Sequence, residues 1–304
     1  MSAEATSYDL DAYLAECRTH VQAALERAVT RLAPHLGAEV AAAVRHGVLS
    51  DGKRLRPVLC IAALSACGGS IGSAAFGLAA SLEMIHAYSL MHDDLPCMDD
   101  ADLRRGRPST HRAHGEGVTM LAGAALIPAA ALEARRSSVA LGCSAERAGE
   151  IAAVLMRAAG AGGMVGGQWL DLLAEGEALR ESALMGLHER KTGALLAAAL
   201  LMGGMAGGAS DDVLDALHEY GRAIGLAFQI TDDVLDATQS AETLGKNPSD
   251  AALDKTTYVT VYGLSGARER AGLAVERALA ALTGAGVEAP VLEALARYVV
   301  GRNN

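Results

Sequence analysis

The stretch Met91-His92-Asp93-Asp94-Leu95-Pro96-Cys97-Met98-Asp99-Asp100-Ala101-Asp102-Leu103-Arg104-Arg105 decides how this chain is read. It closes a long apolar run with helical character, and Pro96 disfavours helix at Leu95. The helix over 73–94 is therefore expected to stop just past the aspartate pair. On a continuous helix Asp93 and Asp99 would point roughly 240° apart; with the helix ended at Pro96, a short loop can fold Asp99 back towards Asp93. A second cluster, Gln229-Ile230-Thr231-Asp232-Asp233-Val234-Leu235-Asp236, ends another apolar segment. There Asp232 and Asp236 share one helix face, while Asp233 lies about 100° round. A carboxylate in apolar surroundings is costly unless something positive neutralises it. Facing carboxylate groups suit a hard cation such as Mg²⁺, which usually carries a phosphate ligand as well. The two clusters imply a diphosphate site inside a helical protein.

Composition agrees. Of 304 residues, 51% are hydrophobic, enough for one large core, so a single domain over 1–304 is expected. Ala, Leu and Val supply that content, and aromatics are only 3%, which favours an all-α fold over sheets. Helices are expected over 9–32, 39–49, 55–66, 73–94, 119–136, 144–160, 181–201, 211–237, 256–282 and 290–300, with polar connections at 103–117 and 238–254. The glycine-rich run Gly160 to Gly167 reads as a turn or a close helix contact, because it lacks the Lys-Ser/Thr ending of a phosphate loop. A net charge of −10 argues against a general nucleic-acid binder and leaves any anionic substrate to local Lys, Arg and metal. Cys17, Cys60, Cys67, Cys97 and Cys143 form no C-x-x-C pair and read as free thiols. With an acidic N-terminal stretch unlike a signal peptide, they point to the cytoplasm. The uncharged stretches 57–82 and 193–210 are interrupted or ended by glycines, so no membrane span is expected.

The cations needed to balance two acidic clusters are present in Gly52-Lys53-Arg54-Leu55-Arg56-Pro57, Arg104-Arg105, Lys191 and Lys246. Arg offers a planar fork and Lys a point charge, a mixture suited to polyphosphate. His86, seven residues before Asp93, shares its helix face.

Together with Gly166-Gly167-Gln168, Lys191-Thr192-Gly193 and Lys255-Thr256-Thr257-Tyr258, these motifs resemble the trans-isoprenyl diphosphate synthases of the polyprenyl synthetase family. Within it the chain looks most like bacterial farnesyl and geranylgeranyl diphosphate synthases. The resemblance implies a bundle of long helices around a deep pocket, a homodimer, and Mg²⁺-dependent condensation of isopentenyl diphosphate with an allylic diphosphate. It implies Mg²⁺ ligands at Asp93, Asp99 and Asp232, supported by Asp94, Asp100, Asp233 and Asp236. Lys53, Arg56, His86 and Arg105 match the isopentenyl diphosphate site. Arg104, Lys191, Thr192, Gln229 and Lys246 match residues around the allylic diphosphate and developing cation, and Lys255 a further contact. Tyr88, with Ser89 beside it, matches the position that limits chain length and implies a fifteen-carbon product, with the twenty-carbon product as the alternative. Ala124 stands where many relatives have an aspartate, and the loop from Lys246 to Lys255 is one residue short of the usual pattern. A class I terpene cyclase would not need the second diphosphate site at Lys53 to Arg56. A non-catalytic partner subunit would be expected to lose one of the two clusters.

Overall fold

The structure, a computed structural model, describes residues 9–174, 176, 179–238 and 256–301. The polar connection expected at 238–254, and with it Lys246 and Lys255, lies outside the described residues apart from Thr238. The architecture is all-α. In chain order the helices are α1 (Leu10–Leu32), α2 (Ala38–Val48), α3 (Leu55–Ala66), α4 (Ser73–Asp93), α5 (Thr110–His114), α6 (Glu116–Ala140), α7 (Ala145–Ala159), α8 (Met164–Leu173), α9 (Glu181–His188), α10 (Ala194–Ala206), α11 (Asp211–Thr238), α12 (Tyr258–Gly284) and α13 (Pro290–Gly301). Most lie within a residue or two of the expected spans.

Three departures stand out. The connection after α4 contains a two-residue hairpin, β1 (Leu103–Arg104) and β2 (Arg107–Pro108). Its turn residues Arg105 and Gly106 both take positive φ, 56° and 73°, the turn that matches strand twist. Arg105 tolerates that conformation where its guanidinium reaches Ser50, Nη1 donating to the hydroxyl at 3.1 Å. The glycine run conceals the start of α8. A Cβ on Gly167 would sit 2.2 Å from the Lys191 backbone nitrogen, so glycine is what allows α8 to approach that segment. Finally, the helix expected over 181–201 is broken by a π-turn, Glu189–Gly193, between α9 and α10.

Helix α4 runs through the middle, packed against α1, α2, α3 and α6. Its residues Leu78, Leu82, Met84 and Ile85 are buried on every side, which explains why it reads as uniformly apolar rather than striped. Glu83, in this same stretch, is 2% exposed and faces Arg54, 4% exposed, at 2.5 Å. Arg54 enters α3 in the left-handed conformation (φ 53°) and also donates to Gln22 Oε1 at 3.0 Å and the Ser50 carbonyl at 2.5 Å. One guanidinium thereby ties α1, α4 and the turn between α2 and α3.

Helix α6 and the consecutive span Ala145–Leu173 are each long and apolar enough to cross a membrane, unlike the two stretches tested in the sequence. Both pack in the bundle, and α6 carries the buried Glu133, which Arg31 of α1 meets at 2.7 Å.

Removing one partner of a buried pair strands the other charge. Glu83→Ala is expected to cost about 3–5 kcal/mol of unfolding free energy, and denaturant titration will measure it. A loss below 1 kcal/mol would contradict the anchoring role given to this pair.

Candidate functional site at the end of the bundle

The first carboxylate group is built by the end of α4. The carbonyls of a helix's last turn need partners, and here the following loop supplies them: Leu95 N donates to His92 O at 3.1 Å, and Asp99 N to Asp93 O at 2.8 Å. The same bond returns Asp99 to Asp93, as the break at Pro96 suggests. Carboxylates thus gather at the negative end of a helix dipole, where a cation is favoured. Asp94 is buried and bound by Arg104, whose Nε donates to Oδ1 at 3.0 Å. Asp100, with φ 44°, faces Arg112 at 3.5 Å. Burial first, then the neighbouring Asp99 and Asp94, pushes the Asp93 carboxyl up to about 6, although Lys191 and Arg104 pull the other way. Asp93 therefore remains incompletely neutralised, which fits a divalent cation.

Beside this group lies a cationic cluster around His86. Burial and then Arg56, Arg105, Arg104 and Arg54 hold His86 well below its ordinary range, so its imidazole is neutral and offers hydrogen bonds rather than charge. Arg56 is lowered by burial, against the pull of Glu83 and Asp232. Its Nε is buried without a hydrogen-bond partner among the described residues, a donor ready for an anion. Lys53 is exposed beside it, and Arg105 lies over Gly52, 2.7 Å from where a Cβ would stand.

The third wall joins the π-turn, α8 and α11. Lys191 Nζ donates to Asp171 Oδ2 at 2.6 Å. Thr192 donates to Gln229 Oε1 at 3.3 Å, and Gln229 Nε2 to Asp233 Oδ1 at 3.0 Å. The other oxygen of Asp233 accepts from Tyr258 N at 2.8 Å, the first residue of α12. Asp233 therefore anchors a helix N-terminus, in keeping with its position off the Asp232–Asp236 face. Asp232 and Asp236 are half-buried along α11. Asp99, Asp171, Lys191, Gln229, Asp233 and Thr256 line one cavity of about 150 Å³.

Asp171 escapes sequence reading. Its signal is an acidic residue three places after Gln168, on the helix that the glycine run hides. Tyr88 sets its ring edge-on against His92, centroids 4.9 Å apart, and His92 Nε2 lies 3.1 Å from the Met120 carbonyl on α6. Ser89 Oγ donates to His86 O at 2.9 Å. Neither residue lines the cavity of the carboxylate site. Ala124 is exposed on α6.

The family description "Polyprenyl synthetase" matches residues 38–286. A chloroplastic geranylgeranyl pyrophosphate synthase from Catharanthus roseus is 40% identical over 302 residues, covering 98% of this chain and 83% of that one. A dimethylallyltranstransferase from Fischerella ambigua is 40% identical over 309 residues, 99% of this chain and 86% of that one. Among solved structures, an FPP/GFPP synthase from Zymomonas mobilis superposes with a TM-score of 0.80 at 33% identity, covering 95% of this chain and 100% of that chain. A geranyltransferase from Legionella pneumophila does so with 0.81 at 31% identity, covering 97% and 98%.

A carboxyl whose pKa is raised by folding favours the folded state below its unfolded value. That contribution is lost as pH rises through about 6. Asp93→Asn is therefore expected to be more stable than the unmodified chain above pH 7 without metal. The gain is of the order of 1–3 kcal/mol, a rise of a few degrees in Tm. Calorimetric scans at pH 4 and pH 8 check the sign, since the difference should shrink at the lower pH.

Proposed function

The chain belongs to the polyprenyl synthetase family of prenyltransferases, and on that premise we propose that it condenses isopentenyl diphosphate with dimethylallyl and geranyl diphosphates, head to tail, to give farnesyl diphosphate. The observation that carries this reading is the incompletely neutralised Asp93 at the same end of the bundle as the half-buried Arg56, Arg104 and Arg105 around His86. One side suits a cation and the other an anion, as two diphosphate substrates require.

Asp93, Asp99 and Asp232 would hold Mg²⁺, with Asp236 near by. Among the described residues no three His, Cys, Asp or Glu side chains already converge on one point, so phosphate oxygens would complete the coordination. Bound Mg²⁺ supplies Lewis-acid neutralisation of charge on the departing diphosphate. Arg104 and Lys191, held by Asp94 and Asp171, are pre-aimed cations for that same diphosphate. Thr192 and Gln229 present oxygen dipoles to the carbon that becomes positive. Lys53, Arg56, neutral His86 and Arg105 bind isopentenyl diphosphate and orient its double bond for attack. The enclosing helices exclude water from the cation.

Tyr88, half-buried on the α4 wall below Asp93, supports the fifteen-carbon product. The twenty-carbon reading is favoured by the names of several relatives and by the engagement of the Tyr88 ring with His92. A homodimer is supported by exposed apolar side chains on α6 (Met120, Leu121, Leu132) and α8 (Val165, Trp169, Leu173). A cytoplasmic chain without a membrane span fits the charged residues within α6 and the free cysteines.

Asp232→Ala is expected to lower turnover at least a hundredfold at saturating Mg²⁺, since losing one such stabiliser costs about 2.7–4 kcal/mol. Arg56→Ala should raise KM mainly for isopentenyl diphosphate and Arg104→Ala mainly for the allylic primer, each by tenfold or more at about 1.5–3 kcal/mol per charged hydrogen bond. Equal effects on both substrates would dissolve this division of the pocket. Product analysis with labelled isopentenyl diphosphate decides chain length: fifteen carbons from the unmodified enzyme, and at least one isoprene unit more from Tyr88→Ala. A twenty-carbon main product from the unmodified enzyme would establish the second reading instead.

A further inference from the structure

On the outer side of the π-turn, between α7, α10 and α11, lies a groove of about 530 Å³, larger than the cavity of the carboxylate site. It takes no part in the reaction proposed above. Val154, Ala194, Ala197 and Leu201 give it an apolar floor. Arg157, Arg190, His218 and Arg222 stand at its rim, with Glu189 as the acidic member. Arg222 Nε donates to Glu189 Oε1 at 2.6 Å, whereas Arg157 and Arg190 have no ion-pair partner among the described residues. Three arginines around one concavity are a local reversal of sign on a chain whose net charge is −10. The volume falls within the range of small-ligand sites.

We propose that this groove binds an amphiphilic organophosphate, its tail along α10 and its phosphate among Arg157, Arg190 and Arg222, and that the occupant acts on the catalytic turn from behind. The Glu189–Arg222 pair clamps the π-turn to α11 on the outside, while Thr192 and Gln229 join the same two elements on the inside. Both members of the outer pair are about half exposed, with side chains 50% and 43% accessible, so it is weak enough for a phosphate to displace. Drawing Arg222 away from Glu189 loosens the turn that carries Lys191 and Thr192, which couples the two sites. The kinetic consequence rests on the roles given above to Lys191, Thr192 and Gln229; binding does not.

Decyl phosphate is a suitable probe, because a saturated chain cannot ionise as an allylic substrate. Calorimetric titration of the full chain is expected to detect binding that an Arg157→Ser/Arg190→Ser variant weakens at least tenfold. An Asp93→Ala/Arg56→Ala variant, disabled in the carboxylate site, should retain that binding. Inorganic phosphate, lacking the tail, should bind at least tenfold more weakly than decyl phosphate. In the unmodified enzyme, saturating decyl phosphate should change the KM for the allylic diphosphate at least threefold. The Arg157→Ser/Arg190→Ser variant should lose that change while keeping its basal kcat. The proposal is overturned by absent binding, by binding that survives in that variant, by binding lost with Asp93 and Arg56, or by an allylic KM that does not move. Inactivity of the unmodified enzyme towards allylic diphosphates would instead refute the proposed reaction, leaving the binding measurements to judge the groove.

Discussion

The ion pair between Arg54 and Glu83 fixes where everything else at this end of the bundle can stand. An arginine has five donors in a planar fork, and here they reach a carboxylate on α4, an amide on α1 and carbonyls at the end of α2. Such a pair contributes little net stability, because desolvation offsets its Coulomb attraction. Its effect is on register. Glu83 is one helical turn before His86, so holding Arg54 there brings Arg56 to the His86 side of α4.

Charge at the site is sorted rather than cancelled. Asp94 is matched to Arg104 and Asp171 to Lys191, while Asp93 and Arg56 face the interior without such a match. The matched pairs hold the cations rigid, and the unmatched groups keep the affinity that substrate and metal would use. Stability above neutral pH is lost to that arrangement, in the way functional sites commonly oppose folding.

Much of this was legible from residue order. Pro96 ended α4 where expected and the loop returned Asp99; the spacing of Asp232 and Asp236 put them on one face, with Asp233 off it. Periodicity states which way a side chain leaves its own helix, and it is silent on what arrives from another. Hence the Arg104–Asp94 pair, Asp171 under Lys191 and the Asp233 bond to the start of α12 became visible only in three dimensions. Helix α8 was hidden because glycine, a poor helix former, was selected there for close approach. The hairpin at Arg105 was hidden because a non-glycine residue occupies a conformation that glycine or asparagine usually takes.

The π-turn has a consequence for how this sequence can change. It is a helical turn with one residue more than its neighbours need, so α9 and α10 run on through it out of phase with an unbroken helix. Deleting any one residue between Glu189 and Gly193 would restore a regular hydrogen-bond ladder and leave α9 and α10 in phase, because the wide turn absorbs the extra residue, but it would turn the remaining side chains of the segment to new directions. Lys191 could then no longer face Asp171 while Ala197 and Leu200 kept their places in the core. A change that improves the local helix would dismantle the site, so the length of this segment is constrained along with the identities of Lys191 and Thr192. Along this segment, insertions and deletions are filtered by function even where substitutions are free.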